Sequence, residues 1–512
     1  MRVGIIELLV DKRLDGPLDG LYGLFLRKQF VSIGPQAVAV WCRQFGHEVT
    51  YATYWGQRDP RSLLPSPLDV VFIATYTPSS ALAYALAKLF RREKTLTVIG
   101  GPHAKAFPDD CLRFFDVVVK ECDKPLIDTI LRGDLNLPAV VTSGRSLTEI
   151  PSVEERRAEI EQTAFIAGKP RATGFIPMLA SVGCPYSCNF CMDWDNPYVA
   201  LPKDQLQADL RYVSRHWPDA FVAYHDPNFA VRFDEVMDVM ETLPEEQRNR
   251  YVMESSLAIL KESRLHRLRA TNCVYVAPGI ESWDDYSNKA GSGSKMGRAK
   301  LEHIVRHIDL INEYVPGMQT NHIFGTDGDK GSEPVDLTRE FVRRLPRVSP
   351  TLNIPIPFGG TPLQQELLAE GRVLKAMPFG CYKMPYLNII LKHYDPITYY
   401  DHMIAIQEEA SSRQMLARRL GTRSPTAHKF IAGLRTLAMQ SSVRKLREVR
   451  TRLATDSQLL AFQEGRSTAL PEFYFRKVTD RIGRYAELLS RVDLTPLLPH
   501  TETIPAKLVR RA

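Results

Sequence analysis

Three cysteines crowd into one short stretch of a 512-residue chain: Cys184, Cys188 and Cys191, within Ala180-Ser-Val-Gly-Cys-Pro-Tyr-Ser-Cys-Asn-Phe-Cys-Met-Asp-Trp194. With three and then two residues between them, three thiolates can converge on one metal centre from a single loop that follows a strand pattern. Zinc completes its tetrahedron with a fourth ligand, typically from a second paired motif, and none follows downstream. A cubane iron–sulfur cluster normally takes four cysteines. Three leave one iron with an open position, which implies that a substrate or cofactor coordinates it. The other five cysteines, Cys42, Cys111, Cys122, Cys273 and Cys381, are scattered singly, which is not a disulfide framework.

More residues able to do chemistry end strand patterns further along. Tyr224-His-Asp226-Pro-Asn228-Phe229 closes one, Glu254 ends the next, and Gly279-Ile-Glu281-Ser282 ends a third. The Cys184-x3-Cys188-x2-Cys191 spacing, with aromatic Phe190 before the third cysteine, resembles the signature of the radical S-adenosylmethionine (radical SAM) superfamily. The Tyr224–Phe229 stretch resembles the Asp-Asp-Asn-Phe element of that superfamily's cobalamin-linked branch, with Pro227 where an acidic or polar residue stands. Gly279–Ser282 resembles its Gly-x-Glu-Ser strand end, and Phe324-Gly325 and Pro357-Phe-Gly-Gly-Thr-Pro-Leu363 resemble the later barrel strands. The resemblance implies a [4Fe–4S] cluster on the three cysteines, whose open iron binds the amino and carboxylate groups of S-adenosylmethionine. It further implies contacts to that cofactor from Phe190, Asp226, Asn228, Glu254, Glu281 and Ser282, with Glu254 reaching the ribose hydroxyls. Reductive cleavage to methionine and a 5′-deoxyadenosyl radical is the implied chemistry.

The elements that would carry these residues come in three blocks. Residues 1–132 alternate strand and helix patterns: strands at Arg2–Leu9, His47–Tyr54, Asp69–Tyr76, Leu96–Gly100 and Asp116–Lys120, with helical stripes such as Val38, Trp41, Cys42 and Phe45 between them. This predicts a Rossmann-like doubly wound α/β domain with its ligand at the strands' C-terminal ends. It resembles the cobalamin-binding domain that precedes many radical SAM barrels. Thr75, Tyr76, Gly100, Gly101 and His103 are the cobalamin contacts so implied, and the Glu121-Cys122-Asp123 turn lies at a corresponding strand end. The Asp-x-His-x-x-Gly motif that donates a histidine to cobalt is absent. The loop after the first strand reads Asp11-Lys-Arg-Leu-Asp-Gly16-Pro-Leu-Asp-Gly20, and the nearby His47 opens the second strand.

Residues 133–172, punctuated by Pro138, Pro151 and Pro170, read as a linker. From 173 to 395 six strand–helix units predict a partial (β/α)6 parallel barrel, with strands at Met178–Val182, Ala220–His225, Tyr251–Ser255, Val274–Pro278, Thr320–Phe324 and Thr351–Pro355. Residues 396–512 read as a mostly helical C-terminal domain. Tyr382, Tyr386, Tyr394, Tyr399 and Tyr400 are candidates for a substrate mouth, although aromatics at a seam are more often packing.

Composition is ordinary globular, 44% hydrophobic and 24% charged, which excludes disordered and coiled-coil classes. The formal charge of +7 is local. Ser411–Arg452 holds eleven Lys/Arg against Glu448 alone, leaving a formal −3 on the rest. This stretch is a candidate for peripheral membrane contact. Little aromatic interleaving argues against a nucleic-acid platform, and a solvated helical face is the plainer reading. With neither a signal-peptide pattern nor a long apolar run, the expected location is cytoplasmic.

The expected protein is therefore a radical SAM enzyme acting on an unactivated carbon of a small-molecule or lipid-like substrate. Cobalamin-dependent C-methylation is the leading reaction, and a reductant such as flavodoxin or ferredoxin is the expected partner. The alternatives are a cobalamin-type oxidative cyclase, a barrel whose N-terminal domain binds no cobalamin, a methylthiotransferase (which needs further clustered cysteines), and a non-enzymatic cobalamin or redox sensor.

Overall fold

The computed structural model describes residues 1–9, 32–56, 59–65, 67–144, 147, 149–166, 169–170 and 174–498. The Asp11–Gly20 loop and the last residues of the chain lie outside them.

The first sheet is built from six parallel strands: β1 (Arg2–Leu8), β2 (Glu48–Tyr54), β3 (Val70–Ala74), β4 (Leu96–Gly100), β5 (Val117–Val119) and β6 (Ala139–Val141), in the order β2-β1-β3-β4-β5-β6. Val3–Leu8 and Val70–Ile73 are buried on both faces, as strands covered by helices on either side must be. The chain leaves β1 for β2 on one side and returns to β3 on the other, so the strand order reverses between β1 and β3. That reversal opens a crevice at the strands' C-terminal ends. The sixth strand comes from the segment expected as linker. It is three residues long, half exposed and on the sheet edge, too short for a pattern to show.

The second sheet holds β7 (Phe175–Met178), β8 (Phe221–Tyr224), β9 (Tyr251–Met253), β10 (Cys273–Val276), β11 (Gly279–Glu281), β12 (Gly317–Ile323) and β13 (Val348–Asn353), all parallel. β10 and β11 both pair with β12, so they are one strand interrupted at Ala277-Pro278. The order β7-β8-β9-β10-β12-β13 gives the six units of a partial (β/α)6 barrel. One expected strand breaks. Pairing in the barrel stops at Met178, and Ser181–Val182 turns away to pair antiparallel with Val199–Ala200. This hairpin brackets the cysteine loop.

Beyond Pro396 the chain is helical, dominated by Pro396–Ser411 and the 30-residue Thr426–Thr455. No described helix is long and apolar enough to cross a membrane. One apolar core runs from the N-terminal sheet (Ile6, Leu8, Tyr84, Phe107) into the C-terminal helices (Leu446, Phe462, Tyr474). Tyr382, Tyr386, Tyr394, Tyr399 and Tyr400 are all buried in it, so they pack this seam and do not line a mouth.

Candidate functional site

The cysteine loop is held at both ends and from above. At its start, Gly183 takes φ +69° and the Cys184 amide donates to the Asn196 carbonyl at 3.1 Å. Within it, Cys191 N donates to Cys188 O and Trp194 N to Cys191 O, a tight double turn. Trp194 Nε1 and Asn189 O anchor it to the Gly360 carbonyl and the Leu363 amide, where the chain after β13 turns into the helix Pro362–Ala369.

A segment after β11 crosses the loop. The Phe190 and Tyr286 rings stack with centroids 5.1 Å apart, and Cys188 Sγ lies 3.7 Å from Ser287 Oγ. Burial raises the Cys184 thiol, and raises that of Cys191 to about 11. Lys289 is half-buried near them. Burial works against its charge, but Cys188, Cys191, Cys184 and then Glu281 outweigh that and raise its pKa. Tyr286, Ser287 and Lys289 carry no motif. They follow the Gly279–Ser282 strand end by a few residues, which is the one signal that could have found them. Among the described residues no three His, Cys, Asp or Glu side chains are drawn together tightly enough for a single ion.

The remaining predicted residues sit at barrel strand ends. Asp226 is spent on structure: its carboxylate accepts from Ala180 N at 3.1–3.2 Å and from Ser181 Oγ at 2.5 Å, and burial pushes its pKa up to about 6. It thus ties β8 to the residues that enter the cysteine loop. Asn228 Oδ1 accepts from Ser256 N at 2.8 Å, whereas Asn228 Nδ2 and Ser256 Oγ are buried without partners. Glu254 is exposed just past β9. Glu281 has φ +64° and folds back onto Gly279, where a Cβ would lie 2.1 Å from its Oε1. Burial raises it to about 7, against Lys289 and Lys300. Ser282 donates to Asp329 Oδ1 at 3.2 Å, and the other oxygen of Asp329 accepts from Gly325 N and Thr326 N.

Between the two sheets lies a cavity of about 390 Å³. Its barrel side is formed by Val182, Gly183, Asp193, Asn196, His225 and Pro227, and its other side by the strand ends around Tyr76, Gly100, Gly101, Lys105 and Glu121. An apolar inner end reaches Ile5, Val38, Phe72, Val98, Val119 and Ile127. Of the predicted cobalamin contacts, Tyr76, Gly100 and Gly101 line this space. Gly101 is required there, since at φ +93° a Cβ would come within 2.9 Å of Thr75 O. Thr75 is not in the lining. It is buried, donating to the Tyr76 carbonyl at 3.1 Å. His103 is also elsewhere, fully buried on the far side of its helix between Phe107 and Phe379, with Nε2 2.6 Å from Tyr84 Oη. Burial drops its pKa to about 3, so it stays neutral. The Gly-Gly-Pro turn places it under a segment almost three hundred residues later in the chain, which sequence does not foretell.

Residues 178–341, from the end of β7 through β12 and the helix after it, match the family model of the radical SAM superfamily. They form a radical SAM domain. Two Chlorobaculum tepidum proteins are similar at 22% identity: bacteriochlorophyllide d C-12(1)-methyltransferase, over 59% of this chain and 66% of its own length, and the C-8(2)-methyltransferase, over 69% and 80%. Among solved structures, the radical SAM methyltransferase TsrM from Kitasatospora setae, with cobalamin and a [4Fe–4S] cluster bound, superposes with a TM-score of 0.55. It is 13% identical and covers 87% of this chain and 99% of its own. The cobalamin-dependent radical enzyme OxsB gives 0.57 at 12% identity, over 95% and 80%. These structural likenesses are of fold, and they span both sheets.

The residues fit what a radical SAM domain carries, a [4Fe–4S] cluster and S-adenosylmethionine. Three thiols on one loop, a cation facing them in Lys289, and two unpartnered buried polar atoms at Asn228 and Ser256 form a donor set for a charged, hydroxyl-rich cofactor. Bound there, the pair supplies one-electron cleavage to a carbon radical.

Proposed function

We propose that the protein is a cobalamin-dependent radical SAM C-methyltransferase, with the cluster held by Cys184, Cys188 and Cys191 and cobalamin in the cavity between the sheets. The observation that carries this is the cavity's course. It starts at the cysteine loop, passes the β3–β4 strand ends and finishes in an apolar slot at the point where the first sheet's strand order reverses. A flat polar-rimmed ligand with an apolar aromatic tail suits that shape, and its inner face would look toward the loop that holds the cluster. Tyr76, Lys105 and Glu121 would meet the polar rim, and the glycines Gly100 and Gly101 would admit the ring close to the backbone. When bound, cobalamin supplies a transferable methyl group. The chain's part is to orient both cofactors and exclude water.

The methyl acceptor is an unactivated carbon of a small molecule. The side chains of bacteriochlorophyllide, on which the named relatives act, are the first acceptors to test. The deciding experiment is anaerobic purification and cluster reconstitution, with iron, sulfide and cobalt quantified. Methyl-deuterated S-adenosylmethionine is then supplied, and the label is sought in product. Cobalt stoichiometric with protein and label on carbon are the expected results. Iron without bound cobalt would leave the radical enzyme standing and remove methylation as its reaction.

A further inference from the structure

Lys105 sits in the short helix Pro102–Ala106 that leaves the end of β4, with its side chain on the cavity wall. Its ammonium is 3.1 Å from Glu121 Oε1, at the end of β5 in its own sheet. It is also 3.2 Å from Asp195 Oδ1 and 3.2 Å from Asn196 Oδ1, in the cysteine loop of the other sheet's domain. Asn196 is the residue whose carbonyl takes the Cys184 amide hydrogen bond. The Lys105 side chain is 19% exposed. Burial opposes its charge, but Asp195 and Glu121 reverse the effect and hold its pKa up. The Glu121 and Asn196 contacts are partly buried and the Asp195 contact is exposed, so this ammonium with three oxygen acceptors differs from a lone solvated pair, whose worth is small.

A second contact from the same helix reaches the same loop. Ala106 O packs so close to Gly359 that a Cβ there would be 1.8 Å away, and the next residue, Gly360, takes the Trp194 indole hydrogen bond. The N-terminal domain therefore grips the cysteine loop directly through Lys105 and indirectly through the Gly359-Gly360 turn.

We propose that Lys105 is a positioning residue for the iron–sulfur centre, fixing the Cys184 end of the loop against the N-terminal domain at the cavity mouth. This rests on the assignment of the cluster to the three cysteines and not on cobalamin. Lys105 also lines the cavity, so one side chain joins the cavity wall to the cysteine loop.

The test uses full-length protein, anaerobically reconstituted without added corrinoid, as wild type, Lys105→Met and Lys105→Arg. Two properties are read: the electron paramagnetic resonance spectrum of the reduced cluster, and the rate at which a ferrous chelator strips iron. Loss of an outer partner of a metal site is typically a tenfold or larger effect, so Lys105→Met is expected to lose iron about tenfold faster and to broaden the spectrum. Lys105→Arg keeps the positive charge facing Glu121 and Asp195 and is expected to restore both readings. Should Lys105→Met fail to fold, Asp195→Asn weakens only the loop side of the contact and is expected to move both readings in the same direction. Wild-type spectra and stripping rates in the folded variants overturn the proposal. Cobalt uptake, measured separately on the same wild-type preparation, reports on the proposed function. An effect at Lys105 in a protein that takes up no cobalt would keep this inference and defeat that reading.

Discussion

Phe190 and Tyr286 lie face to face, 5.1 Å between ring centroids and 8° from parallel, although one belongs to the cysteine loop and the other to the segment after β11. The stack, with the Cys188–Ser287 contact beside it, ties the loop to that later segment by residues that do not line the cavity. Replacing Tyr286 by Ala removes the stack and should cost about 0.5–1.5 kcal/mol beyond the lost burial. It should also lower iron content after reconstitution, while Tyr286→Phe restores both. Denaturant midpoints and iron assays check this. Equal iron in Tyr286→Ala would mean the loop holds itself.

The cluster itself is tested at Cys188, which is half-buried in a turn and belongs neither to the apolar core described above nor to the one under the barrel strands. Cys188→Ala should abolish cluster absorbance and S-adenosylmethionine cleavage while leaving the far-ultraviolet circular dichroism unchanged. Retained cleavage would sink the assignment.

His103 supplies a prediction through its burial. Its ring contacts Tyr84, Phe107 and Phe379 and has no exposure. His103→Ala should therefore behave as a core truncation, costing about 2–5 kcal/mol, with the visible spectrum of bound corrinoid unmoved. A shifted corrinoid band at unchanged stability would return the histidine to the cavity.

Much of the fold was legible because its strands are short apolar runs buried on both faces, as in Val70–Ile73, and the cysteine spacing stands out against any composition. Most of what escaped depends on a later part of the chain coming back to meet an earlier one. Phe379 covers His103, the hairpin partner Val199–Ala200 turns the end of the expected Met178–Val182 strand out of the barrel, and Ser287 reaches Cys188 from 99 residues further along the chain. The edge strand Ala139–Val141 escaped for a local reason, being too brief and too exposed to show a period.

Glu7 gives a pH dependence. Its carboxyl is buried on β1, accepting from Tyr51 Oη and from Ser32 N at 2.5 Å, and burial raises its pKa from 4.5 to about 7. Between those values the native state keeps a proton that the unfolded chain has lost, so the unfolded state binds fewer protons and stability falls as pH rises. One group can contribute at most about 1.4 kcal/mol per pH unit. Glu7→Gln should flatten the decline, so that the difference in stability between variant and wild type grows from about pH 4.5 to 7 and is level above that. Denaturant titrations of thiol-reduced protein across this range check it, and parallel curves for the two proteins would contradict it.

Gly183 shows how little tolerance the entry to the loop has. At φ +69° any side chain is strained, and a Cβ would stand 2.2 Å from the Pro197 carbonyl oxygen and 2.8 Å from that of Asn196. Both obstacles are backbone, so nothing flexible can yield, and the hairpin must open by moving Asn196, the acceptor of the Cys184 amide. Gly183→Ala should thus assemble little cluster while the barrel, whose strands pair elsewhere, stays folded. Gly46 is the control. It has φ +83° with nothing within 4 Å of the added carbon, so Gly46→Ala carries only the left-handed strain of about 1 kcal/mol and should take up full iron. Iron content and thermal midpoint, measured on both variants, separate the two effects. Equal iron in both would mean that the loop's closure at Gly183 has no part in holding the cluster.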